Sequence, residues 1–139
     1  MIQQTQTTSF KAELYEGVHD LLTDTIKIAL YTANADLDET TTAYTATGEI
    51  TGTGYTAGGQ TLTNPNISSS GYTAYVSFDN AVWANASFTC RGALIYNASQ
   101  SNASIAVLDF GNDKIVSNQT FTVTFPADTA DSAIIRSSN

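Results

Sequence analysis

From Gln119 to Phe125 the chain alternates without a break, with Phe121, Val123 and Phe125 set against Thr120, Thr122 and Thr124. A period of two puts the apolar residues on one face of an extended strand and the hydroxyls on the other. The same period recurs along most of the chain. Thr25 to Tyr31 aligns Ile26, Ile28 and Leu30, and Tyr72 to Asp79 alternates Tyr72, Ala74, Val76 and Phe78 with Thr73, Tyr75 and Ser77. Ser104 to Phe110 sets Ile105 and Val107 apart from Ala106, Leu108 and Phe110. Ala86 to Tyr96 reads as one long bent strand or two, with Gly92 at the bend. Composition agrees: charged residues are only 13% of the chain, about half the usual share, and 22 Thr and 13 Ser fill the gap. Threonine is β-branched and suits a pleated, half-buried surface.

One segment breaks the period. Phe10, Leu14, Val18 and Leu21 or Leu22 recur at helical spacing, which predicts a helix over Phe10 to Leu22 capped by Ser9 or Thr8, with Gly17 a weak point inside it. Residues 1–8 read as a flexible polar arm, and 9–139 as a single β-rich domain. Thr32 to Gly48 is polar and reads as a loop or surface excursion. Glu49 to Gly59 holds Gly52, Gly54, Gly58 and Gly59, which predict turns, bulges or close chain approach, and Gln60 to Thr63 re-enters the sheet. The runs 104–110 and 119–125 are expected to pair as a hairpin through Gly111 to Asn118, with Ser132 to Arg136 as a final short strand. Seven or eight short strands with polar turns imply two packed antiparallel sheets, an antiparallel β-sandwich or jelly-roll-like fold with one short N-terminal helix.

Charge narrows the partners. Thirteen acidic against five basic residues give a net charge of −8, and Lys11, Lys27, Arg91, Lys114 and Arg136 are scattered. Such a surface repels a phosphate backbone and an anionic membrane, so neither nucleic acid nor membrane is an expected partner. No apolar run approaches the ~20 residues of a membrane span. The polar start lacks the basic head and apolar core of a signal peptide. Cys90 is the only cysteine, so the chain has no internal disulfide and no cysteine-based zinc site.

Candidates for chemistry are few. His19 is the sole histidine, so any Ser-His-Asp or Cys-His arrangement would need it, and the bland reading is a structural or solvent-facing ring. Cys90 reads as a small buried hydrophobe. Asp36, Asp38 and Glu39 lack the spacing and glycine of an EF-hand loop, and Asp109 and Asp113 flank Gly111 as ordinary turn residues. The glycine-rich run carries no P-loop lysine. The expectation is therefore a protein with no catalytic residue, metal, cofactor or small-molecule substrate. Aromatics are the better contact candidates, because Tyr and Trp bury large area at small entropic cost. Tyr55 and Trp83, together with Ile2, Gln3, Gln4 and Thr5 of the arm, form the candidate protein-contact set; a core position for Trp83 is equally in keeping with its surroundings.

Four stretches carry a resemblance over nearly the whole chain. They are Ser9-Phe10-Lys11-Ala12-Glu13-Leu14 with Gly17 and His19, Asp24 to Thr32, Glu49 to Gly59, and Arg91-Gly92-Ala93-Leu94-Ile95-Tyr96-Asn97. In these the chain resembles a family of short virion structural proteins of tailed bacteriophages. The resemblance implies a non-enzymatic subunit of the virion, assembled in the host bacterial cytoplasm. The preferred role is a capsid decoration, or cement, protein that binds the major capsid protein and copies of itself as a dimer or trimer. A tail, neck or fibre-base component, or a host-glycan-binding module, is the alternative.

Overall fold

The computed structural model describes residues 1–126 and 133–137. The chain is mainly β, with antiparallel sheets and one short helix, in a β-sandwich arrangement. Its elements are β1 (Thr5–Gln6), α1 (Thr8–Tyr15), β2 (Ile26–Tyr31), β3 (Gln60–Thr61), β4 (Asn66–Ser70), β5 (Thr73–Ser77), β6 (Ala81–Asn97), β7 (Ala103–Val123) and β8 (Ile135–Ser137). One sheet has the order β1-β7-β6-β2-β3 and the other β4-β5-β8.

The period of two explains how the larger sheet is buried on both faces. Ile26, Ile28 and Leu30 of β2, with Ala93 and Ile95 of β6, point into the main core. Val76 of β5, Ile135 of β8 and Phe10 of α1 close that core from the other side. The alternate residues, Ala29, Tyr31, Leu94 and Tyr96, join Ile2, Ala35, Leu37 and Val107 in a second cluster on the opposite face. The 32–48 excursion is therefore a covering layer, fastened by Thr32 N–H to Gly48 carbonyl (2.8 Å) and Tyr44 N–H to Asn102 carbonyl (2.9 Å).

Three expectations are corrected. First, 104–110 and 119–125 are not the two arms of a hairpin. Residues 104–110 and 119–123 are parts of one continuous strand, β7, running antiparallel to β6, and Thr124 and Phe125 lie just past its end. The stretch between them carries turn residues because β7 bulges there: Cys90 faces Lys114 while Gly92 faces Asp109, and Ala86 faces Gln119 while Phe88 faces Val116. Gly111 (φ 83°) and Asn118 (φ 51°) supply the left-handed angles that bulges of this kind use. Second, the helix stops at Tyr15. Glu16 caps it and Gly17 (φ 72°) takes the left-handed position beyond, with Gly17 N–H to Leu14 carbonyl (3.2 Å) and Val18 N–H to Glu13 carbonyl (3.0 Å). That is the Schellman pairing, so Gly17 ends the helix where it was expected to weaken it. Its N-cap is Thr7, whose hydroxyl accepts from Phe10 N–H (3.4 Å), in place of Ser9 or Thr8. Third, residues 1–8, expected as a free arm, lie along the sheet. Thr5 and Gln6 pair with Val107 and Ala106, Gln3 N–H meets Leu37 carbonyl at 2.8 Å, and Ile2 is buried.

Candidate functional site

The glycine-rich segment 48–59 is laid directly on neighbouring main chain. A Cβ at Gly52 would come within 2.6 Å of the Ser87 carbonyl oxygen, and one at Gly59 would fall on the Ile28 carbonyl. Only glycine permits that approach, and it brings Tyr55 and Glu49 into a tight polar knot. The Glu49 carboxylate accepts from Tyr44 Oη (2.5 Å), Tyr55 Oη (2.5 Å) and the Gly58 N–H (2.8 Å). Tyr55 Oη accepts in turn from Leu30 N–H (3.0 Å), while Tyr96 Oη donates to the Gly58 carbonyl (2.6 Å) and Tyr31 Oη to the Thr45 carbonyl (2.6 Å). The rings of Tyr44 and Tyr96 stack 4.9 Å apart. Burial, and next the hydrogen bond to or charge of Glu49, pushes the phenols of Tyr31, Tyr44, Tyr55 and Tyr96 above their ordinary value. Their hydroxyls are held protonated, as donors to fixed acceptors.

Trp83 is only 5% exposed. It lies in an aromatic row with Tyr55 (6.4 Å) and Phe121 (6.0 Å), and Phe88 and Phe110 extend the row. Of the six candidate contact residues, Trp83 and Ile2 thus face the interior and Tyr55 is half-buried. Gln3 and Gln4 are exposed and Thr5 is half-buried. The arm residues Ile2, Gln3 and Gln4 line a depression of about 500 Å³ with Met1, Ala33, Arg91 and Asp109; Tyr55 and Trp83 are not among them. The structure therefore separates the set into a surface strip and an interior aromatic row.

His19 lies beyond the end of α1, with no exposed side-chain surface. Its Nε2 meets Glu13 Oε1 at 3.0 Å and its Nδ1 meets Asn97 Nδ2 at 3.0 Å, with the ring tilted on Phe10 at 5.0 Å. Asn97 is itself fully buried, donates to Asp24 Oδ2 (2.8 Å) and accepts from Ser99 N–H (3.0 Å). The hydrogen bond from Asn97, then that from the Asp20 N–H, holds the Asp24 carboxyl below the usual range. Cys90 is buried, and burial pushes its thiol up to about 12, so it carries no thiolate near neutrality. In the acidic loop Asp38 accepts from the N–H (2.8 Å) and hydroxyl (2.6 Å) of Thr40, while Leu37 between Asp36 and Asp38 is buried. Among the described residues no three His, Cys, Asp or Glu side chains gather as a metal site.

Sequence reasoning passed over Glu49, though a signal was there. It is the only charged side chain between Glu39 and Asp79, and tyrosines stand on both sides of it. The role of Asn97 had no such signal, because two of its partners, His19 and Asp24, come from a distant segment.

No protein-family description matches this chain, and no curated protein or solved structure is similar to it.

Proposed function

We propose that this chain is a structural subunit of a tailed-phage virion, and within it a decoration protein that binds the outer capsid shell. The observation that carries the reading is the inward commitment of its reactive groups. Both nitrogens of His19 are engaged, the Cys90 thiol is buried, and four tyrosine hydroxyls are spent on tying the 32–48 excursion and the glycine-rich segment into the fold. Chemistry of this kind rigidifies a fold. It suits a part that must resist load in an assembly more than one that must bind and turn over a substrate. A net charge of −8 keeps the free subunit off DNA. Expected partners are the major capsid protein and further copies of itself, with no cofactor. With Trp83 and Tyr31 buried and Tyr55 half-buried, these three rings do not form a sugar-stacking platform, although Tyr72 stays exposed.

The deciding experiment is the copy number per virion, by quantitative mass spectrometry against the major capsid protein. A near-stoichiometric ratio is expected. A small fraction of that ratio refutes decoration and moves the protein to the tail, neck or fibre base.

A further inference from the structure

We propose that the contact between His19 and Asn97 is a proton-operated latch joining the α1–β2 connection to the β6–β7 turn. Two neighbours of Asn97 have hydrogen-bonding roles that run one way only. The Asp24 carboxylate can only accept and the Ser99 N–H can only donate. Asn97 must therefore turn Nδ2 to Asp24 (2.8 Å) and Oδ1 to Ser99 (3.0 Å). The second hydrogen on Nδ2 then meets His19 Nδ1 at 3.0 Å, which requires a bare lone pair on that nitrogen. The ring hydrogen is left on Nε2, where Glu13 Oε1 accepts it at 3.0 Å. One amide orientation thus sets the tautomer of the only histidine in the chain.

An imidazolium has no acceptor atom. When solvent supplies a proton, a new N–H bond forms at Nδ1 from its lone pair, and two donors face each other across the Asn97 contact. Turning the Asn97 amide over restores that contact but sets Oδ1 against the Asp24 carboxylate and Nδ2 against the Ser99 N–H. Either way a buried group loses its partner. The charged groups around the ring are Glu13 on α1 and Asp24 on the connection, with Asp20 and Arg136 of β8 lining the same groove. The groove itself, about 430 Å³, runs between α1 and the smaller sheet and is lined by Phe10, Leu14, Ile67, Val76 and Ile135 beside His19. Phe10, the fully buried anchor of α1, packs on that ring. The fixed orientation of Asn97 turns the arrival of a proton into a movement. Acid then loosens the 17–25 connection and the 97–102 turn together while the rest of the sandwich stays closed.

The test uses the whole chain labelled with nitrogen-15, compared at about pH 7.5 and about pH 5.5, the window in which an imidazole charges while carboxylates stay ionised. At the higher pH the His19 ring should show the Nε2–H tautomer. At the lower pH it should show the imidazolium, with a shifted Asn97 side-chain NH₂ signal. Hydrogen exchange at the Ser99 amide, corrected for its intrinsic pH dependence, should quicken roughly tenfold, the consequence of losing its one hydrogen bond to Asn97. In His19→Gln the acid-dependent change should vanish. The proposal is overturned if His19 stays neutral at the lower pH, or if it protonates and the Asn97 and Ser99 signals do not move. An acid response that persists in His19→Gln overturns it as well. Should that variant fail to fold, the wild-type spectra decide alone.

Discussion

Alanine at Gly59 and alanine at Gly17 impose the same backbone demand in two different surroundings. Both glycines are left-handed, with φ of 78° and 72°. Placing a Cβ there costs about 1–2 kcal/mol in the folded state, offset in part by about 0.4–1 kcal/mol of lost freedom in the unfolded chain. Gly17 has nothing within 4 Å of the added carbon, so Gly17→Ala should destabilise by only about 1 kcal/mol. At Gly59 the carbon would land on the Ile28 carbonyl oxygen, 2.6 Å from its carbon and 2.8 Å from the Ala29 Cα, in a strand with no exposed surface at those residues. The clash is with main chain, so no side chain can swing aside. Either β2 shifts, at about 1–3 kcal/mol for overpacking, or β3 lifts off. Lifting β3 loses its pairing of Thr61 with Lys27 and Gln60 with Ile28, at about 1 kcal/mol per hydrogen bond. Gly59→Ala should therefore cost about 3 kcal/mol, leaving a gap of about 2 kcal/mol between the two variants. Urea denaturation with both variants and the wild type, read at unchanged m value, measures the gap. If it is below about 1 kcal/mol, the glycine-rich segment does not lie on β2 as described, and the account of Tyr55 and Glu49 fails with it.

Removing the acceptor at the centre of the tyrosine knot, in Glu49→Ala, should cost about 3 kcal/mol, because two phenol hydroxyls and the Gly58 N–H lose a charged partner. An undisturbed urea midpoint would contradict that geometry. The tyrosines also set an alkaline limit. Their hydroxyls ionise near 10.0 in the unfolded chain and higher in the folded one, so above that pH the folded state binds more protons. Stability should thus be complete below about pH 10 and decline as pH rises beyond it, with phenolate absorbance of the buried rings appearing in the unfolding step. Phenolate signal from these rings in a still-folded protein would contradict the burial. Ile2 sits where a Cβ on Gly92 would come within 2.9 Å of it, so the docked start of the chain fills a space that glycine leaves. Ile2→Ala should cost about 2 kcal/mol, and a variant as stable as wild type would show the segment free.

Much of the fold was legible because strand periodicity is a local property. The alternation in 26–30, 73–78 and 121–125 follows from side chains pointing to opposite faces, whatever lies next to them. In 26–30 and 121–125 it also announced which residues would share a core. An irregularity in the β6–β7 register, by contrast, sends Ile105 and Val107, expected on one face, to different clusters. The sandwich of two antiparallel sheets could be read from those runs alone. Other features needed partners that local sequence does not name. Asn66 to Ser70 became β4 although Ile67 is its only large apolar residue, because Ser77 to Thr73 lay alongside to pair with it. Gly111 and Asn118 look the same in a turn and in a bulge, and only the long reach of β6 decided for the bulge. Gly17 reads as a helix flaw until Val18 and Leu14 show the closing hydrogen bonds. The polar clusters are the furthest from the sequence. Glu49 is close enough to Tyr44 and Tyr55 along the chain to be suspected, but His19, Asn97 and Asp24 meet across more than seventy positions. Periodicity records which way a side chain points and says nothing about what stands opposite. Hydrogen bonds are directional and short-ranged, so the polar partnerships were decided only when the sheets closed.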